Sequence, residues 1–189
     1  MKTNRLEAFS DGVLAIVITI MVLELKTPHE ANFEALLKVM PIFLSYLLSF
    51  IYIGIYWNNH HHLFQITERV NGKILWSNLH LLFWLSLIPF TTSWIGESHF
   101  EPAPIAFYGI VLLMSALAYN ILQIQILKHH DENFVLRKAL GKDIKGKISI
   151  ALYVIGVGLT FFNGILAILC YIIVAIIWFI PEKRIEQNI

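Results

Sequence analysis

The sequence predicts an all-α membrane protein with six transmembrane helices per chain and both termini cytoplasmic. Three observations predict it. Of the 189 residues, 57% are apolar and only 14% charged, where soluble domains sit near half and a quarter. The mean hydropathy is +0.67. The apolar residues fall into long runs separated by charges, prolines and turn residues. Six spans of about 20 residues would fill roughly 120 positions, which leaves no room for a separate soluble domain. The chain is therefore read as one domain over residues 1–189. The net charge of +1 gives no reason to expect nucleic acid as a partner. A single cysteine, Cys170, allows no disulfide within one chain. The charged opening and Asp11, without a small-residue cleavage site, argue against a removable signal peptide.

The first span is expected over about residues 5–25, closed by Lys26-Thr27-Pro28. The second covers 39–57 and stops before the polar block 58–62. The third covers 74–96 and the fourth 103–127. The last apolar run is too long for one helix and divides at Asn163-Gly164, a turn dipeptide. It yields a hairpin of two short helices, 148–162 and 165–180. With cytoplasmic termini, Lys2, Arg5, Arg69, Lys73, Lys128, Arg137, Lys138, Lys142, Lys145, Lys147, Lys183 and Arg184 all fall inside. Only Lys26 and Lys38 fall outside, a strong positive-inside bias.

The first helix is unusual in carrying Asp11 and Glu24 within its span, because ionisable groups in lipid are costly and turn toward protein or water. Ile16, Ile20 and Leu23 form one stripe at helical spacing, and Gly12, Ala15 and Thr19 an adjoining stripe of small residues suited to close helix contact. Asp11 lies about 140° around the helix from Ile16. Plainer readings stand beside these. Ser10 and Asp11 also read as an N-cap for a helix starting at Gly12, and the Ile stripe as ordinary packing.

The topology brings three polar clusters to one depth. They are Arg5, Ser10 and Asp11 of the first helix, Trp57 to His60 at the end of the second, and Trp76, Ser77, Asn78 and His80 at the start of the third. Polar groups in lipid need partners, so a shared hydrogen-bond network is expected. His60, His61 and His62 fan over about 200° and cannot jointly ligate one metal on a helix. No Cys, Asp or Glu stands nearby at ligand spacing, and His80 and His99 read as bundle and loop residues. No Ser-His-Asp arrangement, phosphate loop or HExxH motif occurs, so no catalytic residue, enzyme activity or cofactor is expected. Pro89 should kink the third helix and free the Leu85 carbonyl, with Thr91, Thr92 and Ser93 available to satisfy it or to line water.

Arg5-x-x-x-Phe9-Ser10-Asp11, followed by Gly12-Val13-x-Ala15-Ile16 and Thr19, resembles the opening of the first helix in the transmembrane protein 175 family. Trp57-x-x-His60-x-x-Leu63-Phe64 is similar to the end of that family's second helix, and Asn78-Leu79 with Pro89-Phe90-Thr91 to its third. The resemblance implies a potassium channel without a Thr-Val-Gly-Tyr-Gly filter, a motif that this sequence lacks. It implies a homotetramer in the cell membrane of a prokaryote, with four copies of the first helix around a central pore and potassium as the permeating ion, with no metal beyond it. On that mapping Ile16 is the hydrophobic gate and selectivity element, Ile20 and Leu23 continue the pore wall, and Thr19 is a candidate for potassium preference. Arg5, Phe9, Ser10 and Asp11 would hold the pore helix, with Trp57, His60 and Asn78 as partners. Two other readings stay open: a proton-coupled transporter or proton-permeable pathway using Asp11, Glu24 and His60, and a bundle that acts only as a scaffold.

Overall fold

The structure, a computed structural model, describes residues 3–28, 30–130 and 143–179. Among them run eight helices: α1 (Asn4–Leu23), α2 (Phe33–Lys38), α3 (Met40–Gln65), α4 (Gly72–Ser86), α5 (Ile88–Glu97), α6 (Pro102–His129), α7 (Ile144–Leu159) and α8 (Gly164–Phe179). Every regular element among the described residues is a helix. Four described stretches are long and apolar enough to cross a membrane: α1, α3, α4 with α5, and α6. The two final helices are 16 residues each.

Several boundaries differ from the sequence expectation. α1 starts at Asn4, so Ser10 and Asp11 lie inside the helix rather than at its cap. α3 does not stop at residue 57 but continues through the polar block to Gln65. The reason is that this block is amphipathic, with His60, Leu63 and Phe64 buried. α2, a short turn of helix capped by Asn32, lies in the connection between the first two spans. α7 begins four residues earlier than the expected 148, because Asp143 accepts from Gly146 N and caps it. It ends at Leu159 rather than 162, and Asn163 Oδ1 then accepts from Ile165 N and Leu166 N to start α8. The expected end of that last helix at Ile180 falls outside the described residues, as do Lys2, Arg137, Lys138, Lys142, Lys183 and Arg184.

The third expected span is broken at Leu87, ahead of Pro89. Pro89 has no N–H to return to Leu85, so the helix restarts as α5. Thr91 and Thr92 both give their hydroxyl protons to Ile88 O, at 2.9 and 2.7 Å, and both are buried. They close the break against protein rather than lining water.

α1 packs on α3, α4 and α5, while α6 packs on α4, α5, α7 and α8. Lipid tails are as apolar as leucine, so burial alone does not drive such helices together and close packing with polar links must. The region where α3 and α5 meet α6, α7 and α8 supplies both. The rings of Tyr52, Tyr108, Tyr153 and Tyr171 cluster in its interior, their centroids 6.1–6.5 Å apart. Tyr108 shares a 3.0 Å hydrogen bond with Ser49, whose hydroxyl also meets that of Thr92 at 2.6 Å. Gly109 and Gly156 leave room for the Tyr171 ring. A Cβ on Gly109 would stand 1.9 Å from the Tyr171 hydroxyl, and one on Gly156 would stand 2.5 Å from its Cε1.

Candidate pore helix and its polar brace

α1 divides along its length. Leu6, Ser10, Leu14, Val17 and Met21 are buried against α3, α4 and α5. The opposite side is bare within one chain, with Ile16 59%, Ile20 43% and Leu23 80% exposed. Gly12 faces open space, with no atom near an added Cβ, and Ala15 and Thr19 are exposed. The small-residue stripe therefore packs on no other helix among the described residues. Thr19 gives its hydroxyl proton back to Ile16 O at 2.8 Å, which leaves its oxygen lone pairs directed away from the helix axis.

The beginning of α1 meets the end of α3 and the beginning of α4. On the buried side the contacts form a directed chain. Asn78 Nδ2 donates to Ser10 Oγ at 2.9 Å, and Ser10 donates to Leu6 O at 2.8 Å. The Asn78 amide oxygen then accepts, so His60 bonds to it at 2.7 Å as an Nε2–H donor. Ser10, His60 and Asn78 are all at most 1% exposed. Nδ1 of His60 has no hydrogen-bond partner, as expected for the deprotonated nitrogen of this tautomer among apolar neighbours such as Phe64. On the outer side, Trp57 Nε1 donates to Asp11 Oδ1 at 3.0 Å, and the indole stacks on His61. His61 Nδ1 meets Glu7 Oε1 at 2.8 Å.

Trp57, His60 and Asn78 are thus brought to Ser10 and Asp11. Arg5 and Phe9 are not, since both are exposed and Phe9 is 53% bare. They lie one turn apart, together on one side of the Leu6–Ser10 line of the helix. Sequence reasoning missed Glu7, whose link to His61 was signalled by its position one turn before Asp11 on the same face. It assigned His61 no partner, whereas the ring of this residue bridges Trp57, Glu7 and Gln65. His80 accepts from Trp84 Nε1 at 3.0 Å within its own helix. Among the described residues no group of His, Cys, Asp and Glu is arranged to hold a metal ion.

At the far end of α1, Ser93 of α5 donates to Glu24 Oε2 at 3.1 Å. Lys26 pairs with Glu97, a hydrogen bond that raises the lysine's pKa. Asp11 and Glu24 are thus about 20 Å apart along the helix axis. Between α1 and α5 lies an open groove of about 630 Å³ whose walls include Ile16, Ile20, Glu24, Ser93 and Trp94.

Comparison with known proteins places this geometry. The family model described as endosomal/lysosomal potassium channel TMEM175 matches residues 5–89, the stretch that holds every residue of the brace. A protein named as a potassium channel from Chryseobacterium sp. (strain P1-3) is 57% identical over 189 residues, covering 100% of this chain and 98% of that one. The crystal structure of a lysosomal potassium-selective channel TMEM175 homolog from Chamaesiphon minutus matches with a TM-score of 0.83 at 29% identity. It covers 96% of this chain and 98% of that one. The Gallus gallus protein named endosomal/lysosomal proton channel TMEM175 is 28% identical over 148 residues, 70% of this chain and 30% of its own length.

Proposed function

This chain belongs to the TMEM175 family, and we propose that it is a potassium-selective channel formed by four copies of the chain around a central pore. The observation that carries the reading is the bare side of α1. Ile16, Ile20 and Leu23 are exposed in one chain while the other side of the same helix is fully packed. Four such stripes facing one another would cover this surface and form a narrow apolar passage. A ring of Ile16 side chains at its constriction gates by dewetting and penalises strongly hydrated ions. Potassium gives up water more readily than sodium, so preference arises without a carbonyl filter. Thr19, its proton held by Ile16 O, offers lone pairs as ligands one turn along. The Gly12, Ala15 and Thr19 stripe would seat against the neighbouring copy.

Arg5, Phe9, Ser10 and Asp11 form the inner support of the pore helix, with Trp57, His60 and Asn78 as its partners. In this arrangement six spans cross the cell membrane of a prokaryote, with both termini cytoplasmic. The ends carrying Arg69, Lys73, Lys128, Lys145 and Lys147 face inward and Lys26 and Lys38 face outward. The potassium-channel names of the bacterial relatives support the ion assignment.

The name of the animal relative favours a second reading, proton permeation involving Asp11, Glu24 and His60. A reversal potential in reconstituted bilayers, with potassium on one side and sodium on the other, tests both. A value near the potassium equilibrium potential supports the potassium channel. No potassium current, with proton flux into liposomes, supports the second reading instead.

A further inference from the structure

A second, narrower space, of about 40 Å³, lies away from α1 between α3, α6, α7 and α8. It sits at the same end of the bundle as the brace, beside the start of α7. Its walls are aromatic: Tyr52, Tyr56, Tyr119, Tyr153 and Trp178. Its polar lining comprises Asn59, Asn120, Gln123, Asp143 and Ser149. Such a concentration of polar side chains in helices that are otherwise apolar is costly, and it marks a site more often than packing.

Several of the donors around this space are engaged by the protein itself. Trp178 Nε1 donates to Ser149 Oγ at 2.8 Å, and Ser149 donates onward to Lys145 O. Tyr119 donates to Asn59 O at 3.0 Å, and Tyr153 to the Tyr52 hydroxyl at 3.4 Å. Asn59 Nδ2 donates to Ile55 O and Asn120 Nδ2 to Asp143 Oδ2. Acceptor capacity remains beside the second N–H of each asparagine amide. The amide oxygens of Asn59 and Asn120 accept no hydrogen bond among the described residues, and Asp143 keeps lone pairs beyond those used by Asn120 and Gly146. Asp143 forms no ion pair with a described lysine or arginine. Its backbone is left-handed, at φ 43°, a conformation unfavourable for a residue with a Cβ and concentrated at ligand clamps.

We propose that this pocket binds the ammonium end of a small primary amine. An ammonium ion brings three donors and a positive charge, which the free acceptors and the Asp143 carboxylate match. The tyrosine and tryptophan rings attract a cation through their faces. The volume sets the class of amine, since it holds roughly three water molecules. A methyl- or ethylammonium end fits, while the four methyl groups of a quaternary ammonium do not. The same chemistry is presented by a free alkylamine and by the headgroup of phosphatidylethanolamine. The proposal stands independently of how ions pass along α1.

The test uses the full-length protein purified in detergent free of phosphatidylethanolamine. Ethylammonium chloride at about ten times its Kd should raise the melting temperature by roughly 3 °C over equimolar sodium chloride. Tetramethylammonium chloride should not. Asp143→Asn keeps an acceptor for Gly146 N but removes the charge, and Ala116→Leu fills the space from the α6 wall. Both should abolish the shift. No shift in the unaltered protein, an equal shift with tetramethylammonium, or a shift that survives in both variants overturns the proposal. Repeating the titration in nanodiscs separates the sources. An ethylammonium shift present in phosphatidylglycerol discs and lost in phosphatidylethanolamine discs identifies the lipid headgroup. A shift undiminished in both identifies a free amine.

Discussion

The indole N–H of Trp57 donates to the Asp11 carboxylate at 3.0 Å across the seam between α1 and α3, and Asn78 reaches Ser10 on the buried side of the same helix. Adjacent residues of α1 are therefore tied to two different helices. Asp11→Ala removes the acceptor for Trp57, and the expected cost is about 1–2 kcal/mol. We expect a lower melting temperature in detergent, less tetramer and reduced current. Asp11→Asn, which still accepts from the indole, should recover most of the stability. Unaltered stability, assembly and current in Asp11→Ala would show the link to be dispensable.

Ile16→Asn should behave in the opposite way. Ile16 is 59% exposed in one chain, so the substitution should leave the fold of each chain intact. Wetting the constriction should raise single-channel conductance several-fold and bring the potassium–sodium reversal potential toward zero. Unchanged currents from a verified tetramer would remove Ile16 from the gate.

Asn78 is the middle of a buried chain, bonded to His60 on one side and to Ser10 on the other. Asn78→Leu leaves both without that partner, at about 1–3 kcal/mol for each buried group. Ser10→Ala added to Asn78→Leu should cost little more, because the Ser10 link is already gone. A double-mutant cycle by thermal unfolding reads this directly, and strictly additive losses would contradict it.

Gly109 and Gly156 hold the Tyr171 ring between them. Gly109→Ala places a methyl group on the Tyr171 hydroxyl, and Gly156 faces the ring edge, so the ring has little room to withdraw. Overpacking of this kind costs about 1–3 kcal/mol. Tyr171→Phe, which removes the clashing oxygen, should partly restore the melting temperature of Gly109→Ala. No loss in the single variant would mean that the helices part freely at this point.

The all-helical class was legible because apolar runs bounded by charges and prolines are long and unambiguous. The meeting of Ser10, Trp57, His60 and Asn78 followed from helix direction and the need to pair polar groups in lipid. Other features were hidden for physical reasons. The continuation of α3 to Gln65 depends on burying His60, Leu63 and Phe64, which only tertiary contacts decide, whereas hydropathy falls across the same residues. The break at Leu87 was signalled by Pro89, but the return of Thr91 and Thr92 to one carbonyl depends on local backbone geometry. The early start of α7 hinged on Asp143 taking a left-handed conformation. Glu7 carried one signal, its place a turn before Asp11 on the same face, but its pairing with His61 depends on how α1 docks on α3.

The order of donors along Leu6, Ser10, Asn78 and His60 has an electrical consequence. A Grotthuss relay needs every member to accept a proton at one atom and release another with little change in energy. Asn78 is a carboxamide, and passing a proton from His60 to Ser10 through it would require its imidic acid form. The chain is therefore an insulator: it fixes one helix to its neighbours while interrupting charge movement between them. In the proton-permeation reading, then, His60 would not pass its proton on through Asn78 to Ser10, and its part would be to hold α1 in place beside Asp11.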